Sequence, residues 1–296
     1  MIETKSLTKI FDGIVALDNV EMHVPKGAIY GLVGPNGAGK TTMIRHISGA
    51  MQPDKGEVLV DGQPVIDNSA VKARMAFLPD DLFFFPTANI IDMRNFYRQT
   101  YITFDDTRFE TLKDFFFLDE KQYIRRFSRG MQKQAALWLA ICCRPDVVLL
   151  DEPMDGLDPI MRHNIWSLLL QDVAERQTTI FISSHNLREL EDVCDHVGIM
   201  QNGKLILERN LAELQSDIIK LQVVFEDEPP EEMSEFDIMN VVSSGRVREY
   251  IIRGKQDEIL DKVKLMRPVL VDSLSLTLEE IFVYELGGLD YAEINI

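Results

Sequence analysis

GPNGAGKTT, residues 34–42, is the stretch whose reading decides the fold. It fits the spacing G-x-x-x-x-G-K-[ST], in which backbone amides cradle phosphate oxygens. Gly34, Gly37 and Gly39 are expected to supply backbone turns closed to residues with a Cβ. Pro35, Asn36, Ala38 and Thr42 fill the rest of the loop, and the main-chain N–H groups of Asn36, Ala38 and Thr42 add to the cradle. Lys40 would reach the β- and γ-phosphates, and the Thr41 hydroxyl would ligate Mg²⁺. The flanks agree. Residues 28–33, AIYGLV, read as a buried strand, and residues 42–47, TMIRHI, as a helix whose N-terminus favours anions.

Four downstream segments narrow the meaning of that loop. VVLLDEP, residues 147–153, is an apolar strand ending in two acids. Asp151 would sit beside Lys40 and Thr41 and hold the metal shell, and Glu152 would orient or deprotonate a water in line with the γ-phosphate. FSRGMQ, residues 127–132, precedes an apolar-faced helix over residues 133–143. Ser128 can cap that helix, and Gly130 opens the backbone there. Taken alone it is an ordinary cap, and it gains meaning only from its company. DGLDP, residues 155–159, follows the acid pair directly. SSH, residues 183–185, ends the apolar strand over residues 179–182 and places His185 within reach of the γ-phosphate.

The 296 residues carry a formal net charge of −17. Such a surface opposes nucleic-acid phosphates and anionic lipid through general electrostatics, so no nucleic-acid partner is expected. No apolar run approaches the roughly 20 residues that a bilayer span requires. The opening residues MIETK lack a secretory leader. Cys142, Cys143 and Cys194 have no metal-ligand spacing, and Cys142 and Cys143, in an apolar helical stretch, read as core thiols of a reducing compartment.

Apolar strands alternating with helices argue for an α/β fold with a mainly parallel sheet covered on both faces. Residues 1–33 read as strands broken by turns, residues 75–79 as a further strand, and a helix-rich, aromatic-rich stretch covers about 81–143. Residues 197–207 look like a hairpin turning at Asn202 and Gly203. Composition shifts after about Ser216, where EDEPPEE, residues 226–232, reads as a linker. Beyond it a strand near 249–252, a helix over 257–265, a strand at 269–272 and a capping box opening a last helix at Thr277 suggest a small α+β appendage. The expected domains are therefore 1–215 and 216–296.

GPNGAGKTT, FSRGMQ, VVLLDEP, GLDP and SSH, in this order and spacing, resemble the Walker A, signature, Walker B, D-loop and switch-histidine motifs of the nucleotide-binding subunit of an ABC transporter. The resemblance covers residues 1 to about 215. It is nearest to the single-domain ATPases that serve separate ABC-2-type permeases, mostly bacterial exporters, and residues 275–282, SLTLEEIF, resemble that group's C-terminal extension. It implies the P-loop NTPase fold of ABC type, with an N-terminal antiparallel β-subdomain and a helical subdomain. It implies ATP and Mg²⁺ as ligands, Glu152 and His185 as the catalytic pair, and Phe11 stacked on adenine with Val15 and Ala16 beneath the base. It further implies a head-to-tail pair of ATPase subunits, identical or different, in which Ser128 and Gly130 of one close over the ATP on Lys40 of the other, with Met131 and Asp158 as further nucleotide-binding residues. The remaining implied partner is an integral membrane permease, which would hold the chain at the cytoplasmic face of the membrane.

Three departures qualify the resemblance. Where the family carries a glutamine after the strand at 75–79, this chain has Asp80, which either binds Mg²⁺ directly or through water or serves only the interface. Arg129 replaces a small residue of the signature loop, and Met154 and Asp155 alter the approach to the D-loop. Residues 82–86, LFFFP, and then Ile90, Ile91, Phe96 and Tyr97 crowd apolar side chains after Asp80. Most read as core, with some of Phe83, Phe84 and Phe85 exposed as a docking patch for the permease. A soluble ABC-type ATPase acting on ribosomes or DNA is the rival reading. A single such domain, no heptad insert and the negative charge stand against it. A regulatory role for the appendage is compatible with transport.

Overall fold

A computed structural model describes residues 1–285, apart from the side chains of residues 215, 216, 282, 283 and 285. The described chain forms two compact units, Met1–Asn186 with His196–Glu208, and Leu187–Asp195 with everything from Arg209 on. The division expected at 215/216 thus lies inside the second unit, which also takes the short segment Leu187–Asp195 just ahead of His196–Glu208.

In the first unit β1 (Ile2–Phe11) and β2 (Ile14–Val24) pair antiparallel. β3 (Ile29–Val33) leads into α1 (Lys40–Ile47). β4 (Lys55–Val60), β5 (Gln63–Pro64) and the single turn α2 (Ser69–Lys72) precede β6 (Met75–Leu78). Three helices follow, α3 (Ile90–Thr100), α4 (Asp106–Phe116) and α5 (Arg129–Cys142). Then come β7 (Val147–Asp151), α6 (Pro159–Arg176), β8 (Thr179–Ser184), β9 (His196–Gln201) and β10 (Lys204–Asn210).

Two sheets result. One is four-stranded in the order β2-β1-β4-β5, antiparallel throughout, and the other is six-stranded in the order β10-β9-β3-β8-β7-β6. β9, β3, β8, β7 and β6 run parallel. Every residue of β3, β7 and β8 is buried, so their apolar residues stand in consecutive runs rather than alternating, with the polar Asp151, Ser183 and Ser184 at the strand ends. One core joins the sheets. Leu7, Leu17 and Val58 of the antiparallel sheet pack in the same cluster as Met43 and Ile44 of α1 and Leu149 and Phe181 of the parallel sheet.

Side chains that satisfy the first backbone amides fix the helix starts. Asn89 and Asp92 form a reciprocal capping box on α3, Asp105 caps α4 and Ser128 caps α5. The aromatic-rich stretch closes on Trp138. Its ring lies 4.5 Å from Phe109 and 5.6 Å from Phe116, and its Nε1–H donates to the Phe109 carbonyl at 3.1 Å. Burial of each such ring contributes about 1.5–3 kcal/mol. Cys142, Cys143 and Cys194 are buried and unbridged, and burial pushes the Cys142 thiol up to about 12.

The second unit contains α7 (Leu211–Ser216), β11 (Ile218–Val224), β12 (Asp237–Ser244), β13 (Val247–Arg253), α8 (Gln256–Leu265), β14 (Leu270–Leu274) and α9 (Leu278–Glu285). Its sheet runs β12-β13-β11-β14, antiparallel throughout, with Ile259 and Val263 of α8 packed on Leu221, Tyr250 and Ile252. The capping box expected at Thr277 is present. The Thr277 N–H donates to Glu280 Oε2, and the Glu280 N–H donates to the Thr277 hydroxyl. α7, β11 and β12 were not anticipated from the sequence, and the strand expected at 269–272 begins one residue later. The expected appendage, 216–296, runs beyond the described residues, as does the side chain of Phe282 in the SLTLEEIF segment. Among the described residues no helix is long and apolar enough to cross a membrane.

Candidate nucleotide-hydrolysis site

The strand order brings the sequence motifs together. β3, β8 and β7 are neighbours in the parallel sheet, with Val33 in register with Ser184 and Asp151 with Ser183. Residues 34–42, His185 and the Asp151–Glu152 pair therefore leave the carboxyl ends of three adjacent strands, where open α/β sheets place their ligands.

The loop geometry corrects one expectation. Gly37 and Gly39 do take left-handed backbone, at φ +84° and +108°, but Gly34 does not. Gly34 is required by close approach, since a Cβ there would lie 2.3 Å from the Met200 carbonyl oxygen. The turn after β9 braces the loop further, the Gly203 N–H donating to the Ala38 carbonyl at 3.0 Å. Gly130 follows the same rule. It lies within α5 without a left-handed φ, and a Cβ would meet the Gly156 carbonyl at 2.4 Å. Small size, not backbone freedom, lets the signature segment pack on the D-loop.

Lys40 is 6% exposed and its ammonium sits among oxygens. It donates to the carbonyls of Gly34 (2.5 Å) and Pro35 (3.3 Å) and lies 3.5 Å from Glu152 Oε1. A phosphate entering the cradle competes with these acceptors for the same three donors. The Thr41 hydroxyl donates to Asp151 Oδ1 at 3.3 Å, and the buried Ser183 hydroxyl donates to that same oxygen at 2.5 Å. Asp151 is 1% exposed, and its Oδ2 has no protein donor. A carboxylate oxygen buried without a partner is costly unless a cation answers it. An anionic oxygen beside a threonine hydroxyl is the donor chemistry that hard divalent cations take, so the residues fit Mg²⁺.

Glu152 adopts φ +47°, a conformation that costs a non-glycine residue about 1–3 kcal/mol and recurs at functional sites. The surroundings hold it there. Its N–H donates to the Ser183 carbonyl and hydroxyl, both at 3.2 Å, and its carboxylate is shared between Lys40 and His185. His185 Nδ1 lies 2.9 Å from Glu152 Oε2, and the His185 N–H also reaches that oxygen at 3.3 Å. A carboxylate only accepts, so Nδ1 carries the proton and Nε2 points elsewhere. Asp155 joins this group. Ligand atoms of Glu152, Asp155 and His185 lie within 4.8 Å of one another.

The structure spreads the remaining expected residues around this centre. Phe11 is 40% exposed and Val15 46% exposed at the open end of the β1–β2 pair, with Lys9 Nζ 5.4 Å from the Phe11 ring centroid. Ala16 links that ribbon to the cradle, because its carbonyl lies 2.7 Å from where a Cβ on Gly39 would stand. Ser128 accepts from the Met131 N–H at 3.2 Å as the cap of α5. Asp158 caps α6 through the Met161 N–H, so its carboxylate has a structural partner within the chain.

Asp80 is held by cations. Its Oδ1 accepts from Lys133 at 3.0 Å and its Oδ2 lies 3.5 Å from Arg129. Asp151 accepts instead from Thr41 and Ser183, so the structure engages Asp80 with the helix α5 rather than with the candidate metal ligands. Sequence reasoning gave Ser183, Asp155 and Lys133 no task at the site. Ser183 was quoted in SSH without a task. Lys133 had a signal, as the only charge in an otherwise uncharged run over residues 130–143.

Known proteins resemble the chain in sequence and in fold. The sequence model of the family described as ABC transporter matches residues 17–155. The ABC transporter ATP-binding protein YtrB of Bacillus subtilis (strain 168) is 33% identical over 288 residues, 97% of this chain and 99% of that protein. The bacitracin transport ATP-binding protein BcrA of Bacillus licheniformis is 32% identical, covering 97% and 98%. A solved structure described as the ATP-binding subunit of an ABC transporter superposes with TM-score 0.67 at 26% identity, over 73% of this chain and 92% of that one. The chain belongs to the ABC transporter family, as one of its ATP-binding, ATP-hydrolysing subunits.

Proposed function

We propose that the chain powers a membrane exporter, that two copies close head-to-tail around two ATP molecules, and that Glu152 is the general base of each site. The observation that carries the reading is the cluster at the strand ends. Glu152 contacts both Lys40 and His185, and the unanswered Asp151 Oδ2 belongs to the residue before it. Lys40 binds the β- and γ-phosphates. Glu152 takes the proton of the attacking water, and His185, oriented through Nδ1, presents its Nε2 face to the γ-phosphate. Thr41 and Asp151 would hold Mg²⁺, which when bound neutralises charge on the phosphate oxygens.

Ser128 and the 72%-exposed Arg129 stand at the open N-terminus of α5, available to the nucleotide of a second copy. Intact Glu152 and His185 in the chain are consistent with two working sites in a homodimer. Phe11 and Val15 offer an open apolar face to the base. Such a face reads no hydrogen-bond pattern, which favours loose base selectivity.

Phe83 (79% exposed), Phe85 and Phe96 form a chain of edge-to-face rings just past Asp80. An exposed aromatic cluster of this kind supports docking of a membrane permease, which would carry the chain to the cytoplasmic face of the membrane. Transport by the BcrA relative and the likeness to ABC-2-type ATPases favour export.

The purified chain is expected to hydrolyse ATP with Mg²⁺, to fall to background in EDTA and to recover when Mg²⁺ is restored. Hydrolysis that persists in EDTA would remove Asp151 and Thr41 from the role given them. Affinity purification of the tagged chain from membranes of its host is expected to bring down an integral membrane permease.

A further inference from the structure

Lys133 is a buried cation, 2% exposed, for which the scheme above has no task. Its ammonium makes two contacts of different kinds. One is to Asp80 Oδ1 at 3.0 Å, and the other is to the backbone carbonyl of Glu152 at 2.5 Å. Asp80 lies two residues past the end of β6 and three before the exposed Phe83. Glu152 lies at positive φ, with its N–H fixed by Ser183. The backbone of the proposed base is therefore gripped from both sides. Ser183 holds the amide, and a lysine whose counter-ion belongs to a different segment holds the carbonyl.

We propose that Lys133 is a positioning residue that fixes the alignment of Glu152 and ties it to the place of Asp80. The proposal rests on the reading of Glu152 as the base. A buried ammonium needs a counter-charge, and Asp80 is the one bonded to Lys133 here. With the carboxylate in place, Lys133 is neutralised and its remaining donors are free to hold the Glu152 carbonyl. When segment 80–85 shifts, Lys133 must follow its counter-ion or lose it, and either outcome releases the Glu152 carbonyl. Small misplacement of a reacting group far from any loss of binding lowers turnover steeply. A state of the exposed aromatic segment is thereby read at the base through one side chain. Lys133 acts through Glu152 and touches no substrate, so its removal lowers kcat and leaves ATP affinity.

Steady-state hydrolysis and ATP binding by the full chain test this. Lys133→Met is expected to lower kcat about tenfold or more, and Asp80→Asn about fivefold, each with KM within about twofold of wild type. The double variant should be no slower than Lys133→Met alone, because both changes break one linkage. Asp80→Glu should restore most of the rate. Asp80 is 39% exposed, so the Asp80 variants decide the matter if Lys133→Met does not fold. Wild-type kcat in Asp80→Asn, multiplying effects in the double variant, or kcat and KM moving together with a lowered melting temperature would each overturn the proposal. Glu152→Gln measured alongside separates the two failures. If that variant still hydrolyses ATP, the base is wrong. If it is dead while Asp80→Asn and Lys133→Met turn over normally, only the positioning role fails.

Discussion

Glu152→Gln is expected to lower kcat for ATP hydrolysis by about 10³, within the 10²–10⁴ that a positioned general base contributes. The amide preserves the shape of the side chain and can still accept from His185 Nδ1, but it cannot take a proton from water. It also removes the negative charge that faces Lys40 at 3.5 Å, so the lysine is released toward phosphate oxygens. ATP affinity should therefore hold or rise while turnover collapses. Single-turnover phosphate release, with nucleotide binding followed separately, reads both effects. A variant that bound ATP and released phosphate at the wild-type rate would take Glu152 out of the mechanism.

Lys40→Ala is expected to lower kcat/KM by about 10²–10³, the range for losing one preorganised donor aimed at developing charge. Here the loss is felt in binding as well, since Lys40 is the cation the cradle aims at the phosphates. Two further consequences follow from its surroundings. The carbonyls of Gly34 and Pro35 lose their shared donor, and Glu152 loses its cationic neighbour. Lys40→Arg should rescue poorly, because a planar guanidinium does not replace a compact ammonium in a site only 6% exposed. Nucleotide titration by fluorescence, together with steady-state rates, checks the expectation. A kcat/KM within a few-fold of wild type would contradict it.

Much of the site was legible in the sequence because its chemistry is coded by spacing. Gly37, Gly39, Lys40 and Thr41 occupy one loop, and the buried strands before Asp151 and His185 announce themselves as short apolar runs. Helix starts at Ser128 and Thr277 were readable for the same local reason. What escaped was nonlocal. Lys133 and Asp80 are 53 positions apart, and no periodicity joins them. The positive φ of Glu152 is imposed by Ser183, Lys40 and His185 rather than by its own preference. Gly34 and Gly130 were read as sources of backbone freedom, when the structure shows each admitting a carbonyl from elsewhere in the chain. The strand β12 was missed because it is an edge strand whose residues are mostly exposed or half-buried, which blurs the alternation a one-sided strand shows. The assignment of Leu187–Asp195 to the second unit depends on tertiary contacts alone.

The central claim is that residues 34–42 supply half of a site, completed by Ser128 and Gly130 of a second copy. The mass of Glu152→Gln in solution, measured by light scattering during size-exclusion chromatography, tests it most directly. With saturating ATP and Mg²⁺ the mass should double, with two ATP molecules in each dimer, and without ATP it should return to that of one chain. A protein that binds ATP and stays at the mass of a single chain would contradict the account.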